Sequence, residues 1–150
     1  MEREKLKVIF QNVNSWRNKK SAMKTLFHHY NADIYLIAHT GNHPPLKPLK
    51  LLGYTAYCCN TAGNYSGVAI FIKNNIQHTP INKKFDGDTL AISVETTMGP
   101  VIFATNYTPP SRIIFPMRDI MWMARHRTPV YLLADLNAHH SSFDNFTNVA

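Results

Sequence analysis

Pro129-Val130-Tyr131-Leu132-Leu133-Ala134-Asp135-Leu136-Asn137-Ala138-His139-His140 is the stretch around which the rest of the chain is read. An apolar run that follows a proline and ends in polar residues predicts a buried strand. Asp135 stands at the end of that run, where a carboxylate is costly to desolvate unless it is paired. Asp135 taken alone reads first as a turn or helix-cap residue; with Asn137 and the apolar run before it, a site at the end of the strand is the better account. Side chains alternate along an extended chain, so Asp135 and Asn137 are expected to offer their oxygens on one side.

Working outward, the 150 residues suffice for one domain with a core, and their 45% hydrophobic content is that of a globular protein. No apolar run reaches membrane-spanning length, and Met1-Glu2-Arg3-Glu4-Lys5 is mixed in charge without a signal peptide's apolar core, so no signal peptide is expected there. Cys58 and Cys59 are adjacent, which suits a disulfide poorly. Free thiols and an intracellular protein are expected. The net charge of +7 and pI near 9.5 favour polyanionic partners, nucleic acid first, although on charge alone a merely soluble basic surface is an equal reading.

From the N-terminus, residues 7–13 predict a strand with Val8 and Phe10 on one face and Gln11-Asn12 at its end. Asn14-Ser15 breaks it. Met23, Leu26, Phe27 and Tyr30 form the apolar stripe of a helix over 18–30, with Asn31 as a left-handed stop. Residues 34–38, apolar on both faces, predict a central strand that ends at His39-Thr40. Strand, helix and strand at this spacing form a βαβ unit. The two strands are then parallel, and Asn12 and His39 reach the same edge, where ligand sites collect.

A proline-rich loop follows over 41–50, then a short strand over 53–59 and a buried one over 67–73. A polar loop carries Lys83, Lys84, Asp86, Gly87 and Asp88. Residues 90–95 and 101–107 alternate as an antiparallel hairpin turned at Met98-Gly99-Pro100 and ending in Asn106-Tyr107. Pro116 opens a second helix whose expected core stripe is Met117, Ile120, Met121 and Ala124. The segment after His140 reads as a loop, so the chain is expected to stop partway through a fold.

The strand ends thus carry Asn12, His39, Asn106-Tyr107, and Asp135 with Asn137. Carboxylate and amide oxygens are hard donors of the kind Mg²⁺ accepts, and a tyrosine hydroxyl can donate to a phosphate oxygen. These are the parts of a phosphodiester-cleaving site. Each residue also has a plainer reading: a strand-end cap for Asn12, a hydrogen-bonded core histidine for His39, an ordinary aromatic for Tyr107, and a solvated helix-start arginine for Arg112. The adjacent pairs His28-His29, Cys58-Cys59 and His139-His140 lack the spacing of structural zinc sites.

The order of these elements resembles the endonuclease/exonuclease/phosphatase superfamily. It resembles more narrowly the apurinic-type endonuclease domain of jockey-like non-LTR retrotransposons. The resemblance is carried by Asn106-Tyr107-Thr108-Pro109-Pro110-Ser111 and by Leu133-Ala134-Asp135-Leu136-Asn137-Ala138-His139-His140, and covers nearly the whole chain. It implies a four-layer α/β sandwich of the DNase I-like type with mixed sheets, and Mg²⁺-dependent DNA nicking, with Mn²⁺ as a further possible cofactor.

By the same resemblance, Asn12 belongs to the metal and phosphate site, and Tyr107 stabilises the scissile phosphate. Asp135 acts on the attacking water and touches the metal, and Asn137 orients that centre. Asn106 and Arg112 are the substrate-binding candidates. In a full element the domain is fused to a reverse transcriptase and works on DNA in the nucleus.

Two departures from the family pattern bear on activity. His39 stands where the family has a metal-ligating glutamate, offering nitrogen in place of an anionic oxygen, which suits Mn²⁺ or Zn²⁺ better than Mg²⁺. The family's later aspartate and aspartate–histidine segments have no counterpart before Ala150. Weak or no cleavage is therefore expected. The alternatives are a non-catalytic nucleic-acid-binding remnant and a small-molecule phosphatase, since scaffold alone does not set substrate.

Overall fold

The computed structural model describes residues 5–41, 50–61, 66–110 and 115–138. The first of two four-stranded sheets holds β1 (Val8–Asn12), β2 (Ile34–Ala38), β3 (Tyr54–Cys59) and β4 (Val68–Lys73), in the order β1-β2-β4-β3. The second holds β5 (His78–Pro80), β6 (Asp88–Thr96), β7 (Gly99–Tyr107) and β8 (Val130–Leu132), in that order. Helices α1 (Lys20–Tyr30) and α2 (Met117–Arg125) follow β1 and β7 respectively. As the βαβ reading requires, β1 and β2 are parallel, with Asn12 opposite Ala38. The pair β7 and β8 is also parallel, and the remaining pairs are antiparallel.

Period-two alternation sorts the apolar residues into layers. Ile34 and Leu36 of β2 and Ile70 and Ile72 of β4 meet Ile92, Val94 and Phe103 of the second sheet. The opposite faces, Tyr35, Ile37, Ala69 and Phe71, pack on Trp16, Met23 and Phe27 beside and along α1. On the far side, Ala91, Ile102 and Ala104 pack against Met123 of α2. The result is helix, sheet, sheet, helix: the expected four-layer α/β sandwich. Every residue of β2 is buried because it is covered on both faces and paired on both edges.

Several local expectations are corrected. The strand leading to Asp135 is only three residues long and half-buried, and Tyr131 is 57% exposed. Among the described residues β8 is a sheet edge paired only with β7, so its outer side lacks cover. The hairpin turns at Thr97-Met98, and Pro100 lies within β7 opposite Glu95. Strand β5 was not legible, being three residues of polar character; Tyr57 Oη lies 2.8 Å from His78 Nε2 and ties it to the first sheet.

Helix α1 begins at Lys20, later than expected, and Tyr30 is 43% exposed. Asn31 does close the helix in the left-handed conformation (φ 46°), donating its N–H to Phe27 O. Helix α2 is rotated from its expected face. Asp119 and Met123 point inward, while Met117 and Met121 lie outside. The cause is Asp119, whose carboxylate finds three donors in the 86–89 segment.

Candidate active site

Five of the seven predicted site residues come to one rim, at the carboxyl ends of β1, β2 and β7. Parallel pairing between the first two strands continues past their ends: Val13 N donates to Ala38 O (3.1 Å), Ser15 N to His39 O (2.7 Å) and Trp16 N to Thr40 O (3.1 Å). The chain achieves this with left-handed backbone at Asn14 (φ 45°), Ser15 (φ 68°) and His39 (φ 55°). With Asn137 (φ 44°), all the non-glycine left-handed residues among those described, except Asn31, lie at this rim. Such residues gather where function holds the backbone in place.

Asp135 is joined to Tyr107 by an isolated parallel bridge beyond the end of β8. Its Oδ2 accepts from Asn12 Nδ2 at 2.6 Å, linking the ends of strands in different sheets. Its Oδ1 accepts from Asn137 N at 3.2 Å. The left-handed turn at Asn137 overturns the expectation of two side chains aligned on an extended segment. Asn137 instead donates its Nδ2 to Thr108 O (2.8 Å) and lies against the Tyr107 hydroxyl. Asn12 turns its Oδ1 to Asn14 N (2.9 Å).

His39 and Tyr107 stack, their ring centroids 4.6 Å apart and planes within 8°. Burial raises the Tyr107 phenol above its ordinary range, the Asp135 carboxylate adds to this, and the Asn137 bond opposes it. The phenol therefore keeps its proton at neutral pH and is available as a donor.

Burial holds the His39 imidazole below its ordinary range against the pull of Asp135, and the Lys19 ammonium adds to the depression. Folding thus favours the neutral ring, while the unfolded chain takes up a proton near about pH 6.5. The stability this group contributes is present above that pH and is lost as pH falls. The wild-type Tm should drop further between about pH 7.5 and about pH 5 than that of His39→Gln. Equal drops would show that the ring contributes nothing.

Asn106 does not face the rim. It is 2% exposed, on the opposite side of β7 from Tyr107, with Nδ2 donating to Thr89 Oγ1 and Oδ1 accepting from Thr108 Oγ1, both at 2.8 Å. Its expected substrate contact is corrected accordingly: alternation turns it toward α2 and its polar atoms are already used. Arg112, His139 and His140 lie outside the described residues.

Sequence reasoning missed Asp88 and Asp119. Asp88 is fully buried and accepts from Thr61 N, Thr61 Oγ1 and Gly67 N, holding the ends of the β3–β4 connection beside Thr40. A carboxylate at the start of a strand, and another amid helical apolar residues, were the available signals. Lys19, one of several scattered lysines in the sequence, caps Val13 O and Asn14 O, each at 3.0 Å, next to Asn12.

A divalent cation at this rim would find one carboxylate, Asp135. Asn12 and His39 add only neutral donors, and among the described residues no three His, Cys, Asp or Glu side chains assemble a metal cage. Mg²⁺ is commonly held by one or two carboxylates together with water and substrate phosphates. The residues fit a cation at that lower limit, anchored on Asp135.

The model of the endonuclease/exonuclease/phosphatase family matches residues 9–148. The probable RNA-directed DNA polymerase from transposon X-element of Drosophila melanogaster is 29% identical over 142 residues, covering 90% of this chain and 15% of that protein. The endonuclease domain of TRAS1, a telomere-specific non-LTR retrotransposon, superposes with a TM-score of 0.66 at 14% identity, covering 91% of this chain and 61% of that domain. A mannosyl-6-phosphatase from Bacteroides thetaiotaomicron gives 0.65 at 16% identity, covering 95% and 70%. The chain therefore spans a small part of its curated relative and about three-fifths of the TRAS1 domain. Among the described residues, no helix is long and apolar enough to cross a membrane.

Proposed function

We propose that this chain, which belongs to the endonuclease/exonuclease/phosphatase family, is a DNA-nicking domain of a non-LTR retrotransposon, acting on phosphodiesters with Mg²⁺ or Mn²⁺. The observation that carries the reading is the 2.6 Å contact between Asn12 and Asp135, which brings strand ends of both sheets together beside the Tyr107 phenol. The X-element relative supports a retroelement origin and fusion to a reverse transcriptase. The charge of +7 supports DNA over a small phosphorylated molecule.

Each residue has a part that follows from its chemistry. Asp135 accepts a hydrogen bond from the attacking water and draws off its proton. Asn137 holds Asp135 and Tyr107 in register. The protonated phenol of Tyr107 donates to a non-bridging phosphate oxygen as charge builds there. Asp135, with the Asn12 amide, would hold the cation, which when bound neutralises phosphate charge and lowers the pKa of water. With one anionic ligand, the cation should bind weakly to the free protein and more tightly once phosphate oxygens complete its shell.

The test is nicking of supercoiled plasmid with Mg²⁺ and with Mn²⁺, alongside DNA binding in chelator. Weak nicking, stronger with Mn²⁺, is the expected result. Binding without nicking under either metal would select the non-catalytic reading. His39→Glu restores an anionic oxygen and should tighten Mg²⁺ binding by about tenfold or more. No tightening would mean that position 39 does not face the cation.

A further inference from the structure

A buried line of hydrogen bonds runs from α2 to the rim. The Asp119 carboxylate, 2% exposed, accepts from Asp86 N (2.9 Å), Gly87 N (3.0 Å) and Thr89 Oγ1 (2.8 Å). Thr89 Oγ1 accepts from Asn106 Nδ2, and Asn106 Oδ1 accepts from Thr108 Oγ1, both at 2.8 Å. Thr89, Asn106 and Thr108 are all at most 5% exposed. Thr108 is then clamped by both backbone atoms: its N–H donates to Asp135 O (2.9 Å), and its carbonyl accepts from Asn137 Nδ2 (2.8 Å).

The direction of every bond follows from the far end. A carboxylate only accepts, so the single hydroxyl proton of Thr89 must go to Asp119. The Thr89 lone pairs then face Asn106, which must present its NH₂ there and its oxygen to Thr108. Thr108 in turn must donate. Each link is out of reach of water, so no solvent molecule can take over a lost partner, and a broken link leaves a buried polar group unsatisfied.

We propose that Asp119 is a positioning residue: through Thr89 and Asn106 it sets the place of Thr108, the residue that holds Asp135 and Asn137 at the site. The role of the site itself rests on the function proposed above, but the positioning does not. The order acts outward from α2, whose face is turned inward by this carboxylate. It also gives Asn106 a purpose that substrate contact does not.

Asp119→Ala strips the acceptor from two backbone N–H groups and so tests folding as much as position. Thr89→Val cuts the line while leaving Asp86 N and Gly87 N paired, and Thr108→Val cuts it at the other end. The measurement is amide hydrogen exchange along the 150-residue chain. In both valine variants, exchange at the Thr108 and Asp135 N–H groups should rise by about tenfold relative to that of Ile70 in the first sheet. A rise at these positions matched by Ile70 would show a general loss of stability and overturn the proposal. Where the wild type nicks DNA, Thr89→Val should lower kcat with KM unchanged; a raised KM with kcat intact would also overturn it. Exchange needs no activity, so absent nicking defeats the proposed function while this inference is still decided.

Discussion

Asp135→Ala is expected to lower nicking by about 10²-fold or more while leaving the chain folded and able to bind DNA. Asp135 brings a carboxylate to the rim from the second sheet, and it holds both Asn12 Nδ2 and Asn137 N. Its removal takes away the acceptor for the water proton and the anchor for the cation together. The cost in stability should be small, about 1 kcal/mol, because the rim is half-exposed and water can reach the freed donors. DNA binding, resting on basic groups, should persist and keep its salt dependence. The measurements are plasmid nicking, thermal unfolding and DNA binding at two salt concentrations. Nicking that survives the substitution would remove Asp135 from the chemistry, and loss of folding would make it a structural residue.

Gly67→Ala should destabilise the fold by about 3 kcal/mol, lowering Tm by about 6–12 °C. Gly67 sits at φ +103°, where a side chain is strained, and an added Cβ would fall directly on Thr40 Oγ1. Thr40 is 4% exposed, and its backbone is fixed by bonds to Gly67 O and from Trp16 N, so relief requires turning its hydroxyl within a buried site. The glycine N–H is also one of the donors held by Asp88. Damage at Gly67 is thereby transmitted to Thr40 and to the neighbouring His39. A Tm within about 2 °C of wild type would mean that the approach of these segments is looser than the geometry indicates.

Long periodic segments were legible because burial demands them whatever their neighbours. The all-apolar β2, the alternation of β6 and β7, and the Met23–Phe27 face of α1 each carry their own pattern. The parallel βαβ pairing followed from connection length. The face of α2 was misread because apolar counting ignores a carboxylate, and the donors that draw Asp119 inward lie about thirty residues away in sequence. Strand β5 was missed because a three-residue edge strand contains too little pattern to detect.

The sequence by itself determined most of the strands and helices and the set of polar residues at strand ends, since hydrophobic periodicity and chain reversal are local properties; the four layers were implied only by the family resemblance. Only the tertiary structure decided which of those residues meet. Asn12 and Asp135 are separated by most of the chain, yet touch because two sheets pack face to face. Asn106 and Tyr107 are adjacent, yet part to opposite faces of one strand, one toward α2 and one toward the rim. Proximity across packed layers depends on register and sheet pairing, which no single segment encodes.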